Sequence, residues 1–166
     1  MDEKRAQEYS NILSDKVDLL LSGFQCSNQI LSIIMNQKMT IAEKNNIKLN
    51  TQIEDILFDF MDDIDITAIF ANLWDNAIEA CKKVQSDKRF INIIVGNMND
   101  YIVICFENSF NGKISKKGDI ILSTKKRHEG VGVSIITAAV KKYDGFINFE
   151  NDMDTFKVKL MIPSFK

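Results

Sequence analysis

Asn72-Leu73-Trp74-Asp75-Asn76-Ala77-Ile78-Glu79-Ala80 is the stretch from which the rest of this chain is read. An α-helix advances about 100° per residue, so Asn76 lies about 40° from Asn72 and Glu79 about 20° to its other side. Two amides and a carboxylate therefore share one stripe, while Ile69, Phe70, Leu73, Ala77 and Val84 fall on the adjoining arc. Core helices seldom carry uncharged amides beside an apolar seam, because an amide buried without partners costs on the order of a few kcal/mol. A bound metal with phosphates is one set of partners. A neighbouring loop is the other, and the stripe alone does not separate the two.

The composition bounds what such a stripe can serve. The chain has 166 residues, 45% hydrophobic and 27% charged, which fits one or two compact units with a sizeable core. Its net charge of -2 comes from bases scattered among acids, which argues against a dedicated nucleic-acid or membrane-surface protein. No apolar run reaches the ~18 residues that cross a bilayer, and Met1-Asp2-Glu3-Lys4-Arg5 opens no signal peptide, so a cytosolic setting is expected. Cys26, Cys81 and Cys105 are odd in number and far apart, which disfavours disulfides and zinc and predicts small core residues.

The first 46 residues contain one glycine, Gly23, and no proline, and their apolar residues return at helical spacing. Two helices are predicted, with faces at Val17, Leu20 and Leu21 and at Ile30, Leu31, Ile34, Met35 and Met39. Asn45-Asn46 is a stop signal, and Ile47 to Ile53 alternates as a half-buried strand does. The amide-bearing helix is expected to start near Asp65-Ile66-Thr67, capped by Asp65 or Thr67. Strands at Phe90–Val95 and Tyr101–Phe106 flank Gly96-Asn97-Met98-Asn99-Asp100 and should pair antiparallel. The polar segment Asn108 to Glu129 reads as a long loop of the kind that forms lids. A helix from about Val133 to Tyr143 and strands at Phe146–Glu150 and Thr155–Ile162 complete a mixed α/β layer with helices on one face.

A second motif, Glu129-Gly130-Val131-Gly132-Val133-Ser134-Ile135-Ile136, places two glycines just before a helix. Glycines let backbone N–H groups approach an anion, and a helix start adds a favourable dipole. Taken alone, a Gly-x-Gly is more often a simple helix entry. Here it follows the amide stripe by about 50 residues, behind Ser123-Thr124-Lys125-Lys126-Arg127.

The amide stripe resembles the N box, and the glycine pair the second glycine box, of the ATP-binding domain shared by sensor histidine kinases, DNA gyrase, Hsp90 and MutL. The resemblance spans about Ser27 to Pro163 and is closest to the peptide quorum-sensing receptor kinases, in which a Ser/Thr-Thr-Lys stretch precedes the glycine box. It implies an α/β two-layer sandwich of the Bergerat type, with a mixed, mostly antiparallel sheet and helices on one face. Residues 1–40 would then be a helical segment ending a dimerisation and phosphoacceptor domain, and residues 41–166 the ATP-binding catalytic domain. Asn76 would bind Mg²⁺, Asn72 would lie near the phosphates, and Asp75, facing away, would be solvated. Ser123, Thr124 and Lys125 would belong to the ATP lid, with Lys125 or Arg127 offsetting phosphate charge, while Gly130 and Gly132 would form its hinge; a solvated charge run is the other reading of Lys125, Lys126 and Arg127.

Two features depart from the family pattern. The usual Asp-x-Gly-x-Gly is replaced by Glu107-Asn108-Ser109-Phe110-Asn111-Gly112. Asn108 is the candidate for the adenine contact, since its amide oxygen accepts from an exocyclic amine; a turn residue is the other reading. The only histidine, His128, lies in the expected lid and not on an acceptor helix. The resemblance therefore implies an ATP·Mg²⁺-binding part of a two-component histidine kinase whose acceptor histidine lies outside this chain. It also implies a response-regulator partner, a homodimer in the full protein, and a cytoplasmic position below a membrane-anchored sensor. A non-catalytic partner-binding module of the same fold and an anti-sigma-type serine kinase are the alternatives. Because an amide stands at Asn72 where hydrolysing relatives carry an acid, phosphoryl transfer to protein is favoured over hydrolysis.

Overall fold

The structure, a computed structural model, describes residues 7, 23–111, 115–117, 120–122 and 131–164. The helical face at Val17, Leu20 and Leu21, and Ser123, Thr124, Lys125, His128 and Gly130, lie outside the described residues.

Helix α1 (Gln29–Lys44) starts where the Asn28 side chain accepts from the Leu31 N–H at 2.8 Å. It ends on Asn46 in the left-handed region (φ 54°), with Asn46 N–H donating to Glu43 O and Ile47 N–H to Ala42 O. That pair of bonds satisfies carbonyls the helix would otherwise leave open. Helix α2 (Asp63–Lys82) carries the amide stripe, and helix α3 (Val131–Lys142) takes in the second glycine, Gly132, in its first turn, starting two residues before the expected Val133. α3 closes in the same way as α1, with Asp144 at φ 56° and Gly145 N–H donating to Val140 O at 3.0 Å.

Five strands form one sheet: β1 (Lys48–Ile53), β2 (Phe90–Met98), β3 (Tyr101–Ser109), β6 (Phe146–Asn151) and β7 (Thr155–Pro163), in the order β1-β2-β3-β7-β6. Only β1 and β2 run parallel. A separate pair, β4 (Ser115–Lys117) and β5 (Ile120–Leu122), is antiparallel. One face of the large sheet presents Ile91, Ile93, Val95, Ile102, Ile104, Phe106, Val158, Leu160 and Ile162, all buried beneath the helices. The opposite face carries polar rows such as Asn92–Glu107–Lys157, where Lys157 pairs with Glu107 at 2.8 Å.

The two-layer architecture matches the expected α/β sandwich, and several local expectations are corrected. The hairpin turn is only Asn99-Asp100, because β2 runs on through Gly96, Asn97 and Met98 and Asn99 supplies the left-handed residue (φ 52°). β1 is an edge strand with mostly exposed side chains, so its alternation reflects one-sided contact and not a half-buried position. The segment from Asn108 is not all loop: β3 extends to Ser109, and β4 with β5 forms within it. Cys81 is buried as expected, whereas Cys26 and Cys105 are only half-buried. Helix α1 runs through residue 40, and its Leu31, Ile34, Met35 and Ala42 share one core with the sheet.

The end of α3 is tightly packed. A Cβ on Gly145 would stand 2.8 Å from Val140 Cγ1 and 2.9 Å from Met161 O. Backbone atoms cannot yield as a flexible side chain can, so Gly145→Ala should destabilise the fold by about 1–3 kcal/mol. A fall in the urea midpoint at unchanged slope is the expected reading; an unshifted midpoint would show that β7 gives way freely.

Candidate functional site

The amide stripe is built as its spacing predicts. Leu73, Trp74, Ala77 and Ile78 face the core, and Asn72 and Asn76 stand half-buried at its margin. Asn72 Nδ2 donates to Ala68 O one turn back at 2.6 Å, which turns its Oδ1 outward. That oxygen meets the start of α3: a Cβ on Gly132 would lie 3.1 Å from Asn72 Oδ1 and 3.4 Å from Asn76 Oδ1. Two amide oxygens and a helix-initial glycine therefore converge, although about 60 residues separate them in the chain. The Asn76 amide makes no hydrogen bond to a described residue. A glycine keeps this approach close, since a side chain here would enter the space in front of both oxygens.

Asn108 continues the inward row of β3 after Phe106 and is 3% exposed. Its Nδ2 donates to Ser109 O at 2.9 Å, and its Oδ1 accepts nothing from the described residues. Below it, Ser109 Oγ accepts from Phe90 N–H at 3.2 Å and lies 3.2 Å from Cys81 Sγ. Burial pushes the Cys81 thiol above its usual pKa, so it stays a neutral thiol beside Ser109. The turn reading of Asn108 is corrected, because the residue lies inside β3.

Asp65 is not the helix cap. α2 begins at Asp63 after Asp62, which makes no side-chain capping bond, and Thr67 Oγ1 donates to Asp63 O within the helix. Asp65 instead accepts from Lys142 Nζ and Tyr143 Oη, each at 2.6 Å. The Lys142 bond first, and the Tyr143 bond second, hold its carboxyl below the usual carboxylate range. Asp75 faces away from the stripe and is exposed as expected, yet it also pairs with Lys38 of α1 at 2.5 Å. Sequence reading missed both pairings, because partners 37 to 78 residues apart leave no periodic signal.

Among the described residues no group of three or more His, Cys, Asp or Glu side chains is placed to hold a metal ion. A cation at this site would take one or two amide oxygens from the protein and the rest of its shell from phosphate oxygens and water. Such a shell suits a hard divalent cation that keeps several waters and prefers oxygen donors.

A family model described as a GHKL domain matches residues 61–163. A curated relative, a probable C4-dicarboxylate sensor kinase of Halalkalibacterium halodurans, is 22% identical over 171 residues. The alignment covers 95% of this chain but 30% of that relative. The catalytic domain of histidine kinase ThkA superposes with a TM-score of 0.62 at 23% identity, covering 82% of this chain and 91% of that one. The Acinetobacter baumannii histidine kinase AdeS gives 0.63 at 13% identity, covering 100% of this chain and 87% of that one. At these identities the structural likenesses speak for the fold alone.

Proposed function

We infer that this chain, which belongs to the GHKL domain family, is the ATP-binding catalytic part of a sensor histidine kinase. The observation that carries this reading is the convergence of Asn72 Oδ1 and Asn76 Oδ1 on Gly132. ATP supplies the phosphoryl group, and Mg²⁺ offsets the charge on its phosphates. Asn76 is the metal ligand, its amide being free of other bonds to described residues. Asn72 is held by Ala68 O with its oxygen toward the phosphates. Neither amide can take a proton from water, so the site positions phosphates without promoting hydrolysis. Asn108 accepts the exocyclic amine of adenine, its orientation fixed by the bond to Ser109 O. Gly130 and Gly132 form the hinge, and Ser123, Thr124 and Lys125 the phosphate-facing lid.

The acceptor is a histidine outside this chain, because His128 precedes the glycine box by two residues and would sit at the lid. A response regulator, a homodimeric full protein, a membrane-anchored sensor and a place in the peptide quorum-sensing branch belong to the same proposal. An intact amide convergence speaks against a degenerate partner-binding module. The amide at Asn72, where an acid is usual, speaks against an anti-sigma serine kinase.

Isothermal titration of ATP with Mg²⁺ into the protein and its Asn76→Ala variant tests the reading. Saturable binding with a loss of about tenfold in the variant is expected, which corresponds to about 1.4 kcal/mol. Absence of binding by the parent up to millimolar ATP would overturn the kinase reading.

A further inference from the structure

Helix α3 is held very differently at its two ends. At the C-terminal end, Tyr143 Oη accepts from Asp62 N–H at 2.9 Å and donates to Asp65 Oδ2 at 2.6 Å. Lys142 Nζ spans the same two acids, at 2.7 Å from Asp62 Oδ2 and 2.6 Å from Asp65 Oδ2. The Tyr143 ring is buried and packs edge-on against Phe60 with centroids 6.3 Å apart. Behind it, Gly145 lies close against Val140 and Met161 O, leaving no slack between α3 and β7. At the N-terminal end, the contact is Gly132 against the amides of Asn72 and Asn76.

A helix is stiff over twelve residues, so a fastening at one end sets the position of the other. From Gly132 to Tyr143 the axis rises about 16 Å, and a pivot of roughly 10° about the fastened end would carry Gly132 roughly 3 Å. That is comparable with the 3.1 and 3.4 Å that would separate a Cβ added at Gly132 from Asn72 Oδ1 and Asn76 Oδ1.

We propose that Asp62, Asp65, Lys142 and Tyr143 form a positioning clamp that fixes the glycine end of α3 over the Asn72–Asn76 pair and so sets phosphate affinity from the far end of the helix. The proposal rests on the ATP-site reading above. The four residues touch neither the amides nor, on that reading, the nucleotide. Tyr143 is the centre of the clamp, since its hydroxyl alone serves both the backbone entry of α2 and the Asp65 carboxylate. Lys142 is exposed along its stem and reinforces the same acids.

The test uses the whole chain and two variants, Tyr143→Phe, which keeps the buried ring, and Lys142→Met, which keeps the stem. Titration with ATP·Mg²⁺ should show affinity falling about five- to tenfold in Tyr143→Phe and less in Lys142→Met. Adenosine, which has no phosphates to reach Gly132, should bind the variants and the parent alike. A second readout needs no nucleotide: the side-chain amide NMR signals of Asn72 and Asn76 should shift in Tyr143→Phe while that of Asn108 stays in place. Equal losses for ATP and adenosine, or unmoved Asn72 and Asn76 signals, overturn the clamp. If the parent itself binds no ATP, the ATP reading fails, and the amide signals still decide whether Tyr143 positions the helix.

Discussion

Trp74→Ala should lower the unfolding free energy by about 3–5 kcal/mol, the range for removing a large aromatic from a filled core. Trp74 is fully buried, with its indole edge-on to Phe106 at 5.6 Å between centroids and its Nε1–H donating to Met35 Sδ at 3.2 Å. It therefore joins three elements at one point: α2, the centre strand β3 and helix α1. Small domains are stable by only about 5–15 kcal/mol, so the variant should sit near the edge of folding at 37 °C. Chemical denaturation followed by circular dichroism measures the loss. A change below about 1 kcal/mol would mean that Phe70, Phe106 and Met35 collapse into the vacated volume.

Gly132→Val should abolish most nucleotide binding while leaving the fold nearly intact. Gly132 has no left-handed backbone requirement, so valine meets no strain in its own dihedrals. Its side chain would enter the space in front of Asn72 Oδ1 and Asn76 Oδ1, where even a Cβ stands at 3.1 and 3.4 Å. We expect ATP·Mg²⁺ affinity to fall at least about tenfold, with the melting temperature close to that of the parent. Undiminished binding would show that the convergence of the amides and the glycine is not where phosphates lie. Gly145→Ala makes the opposite pattern, a loss of stability that precedes any loss of binding, because its added atom meets β7 and not the amides.

The periodic parts of the structure were legible in the sequence. The 3.6-residue repeat placed Ile69, Phe70, Leu73 and Ala77 inward beside Asn72 and Asn76, and period-two runs located β2, β3, β6 and β7; Trp74 and Ile78, which it did not single out, are buried as well, and Val84 lies beyond the end of α2. Boundaries were less legible. Asp65 looked like a cap because short acids favour that role, yet the helix starts earlier and the carboxylate serves Lys142 and Tyr143, which are remote in sequence. Gly96 looked like part of a turn, although it lies in β2 facing Glu54, whose Oε1 would be 3.1 Å from an added Cβ. Asn108 was reached only through the family resemblance, and the bond from its amide to Ser109 O leaves no local signature in the sequence. Tertiary partners of this kind carry no local pattern.

The strand order β1-β2-β3-β7-β6 also bears on how the molecule assembles. β2 with β3 and β6 with β7 are each neighbours in the chain, joined by short turns, and such hairpins form in roughly 1–10 μs. The β3–β7 seam instead joins residues on either side of the whole stretch 110–154. Its closure carries a larger loss of chain entropy than either hairpin, so the β3–β7 seam is expected to form after them. Asn108 belongs to one hairpin half and Gly132 leads into the other, so the candidate site comes into being only when the two halves meet.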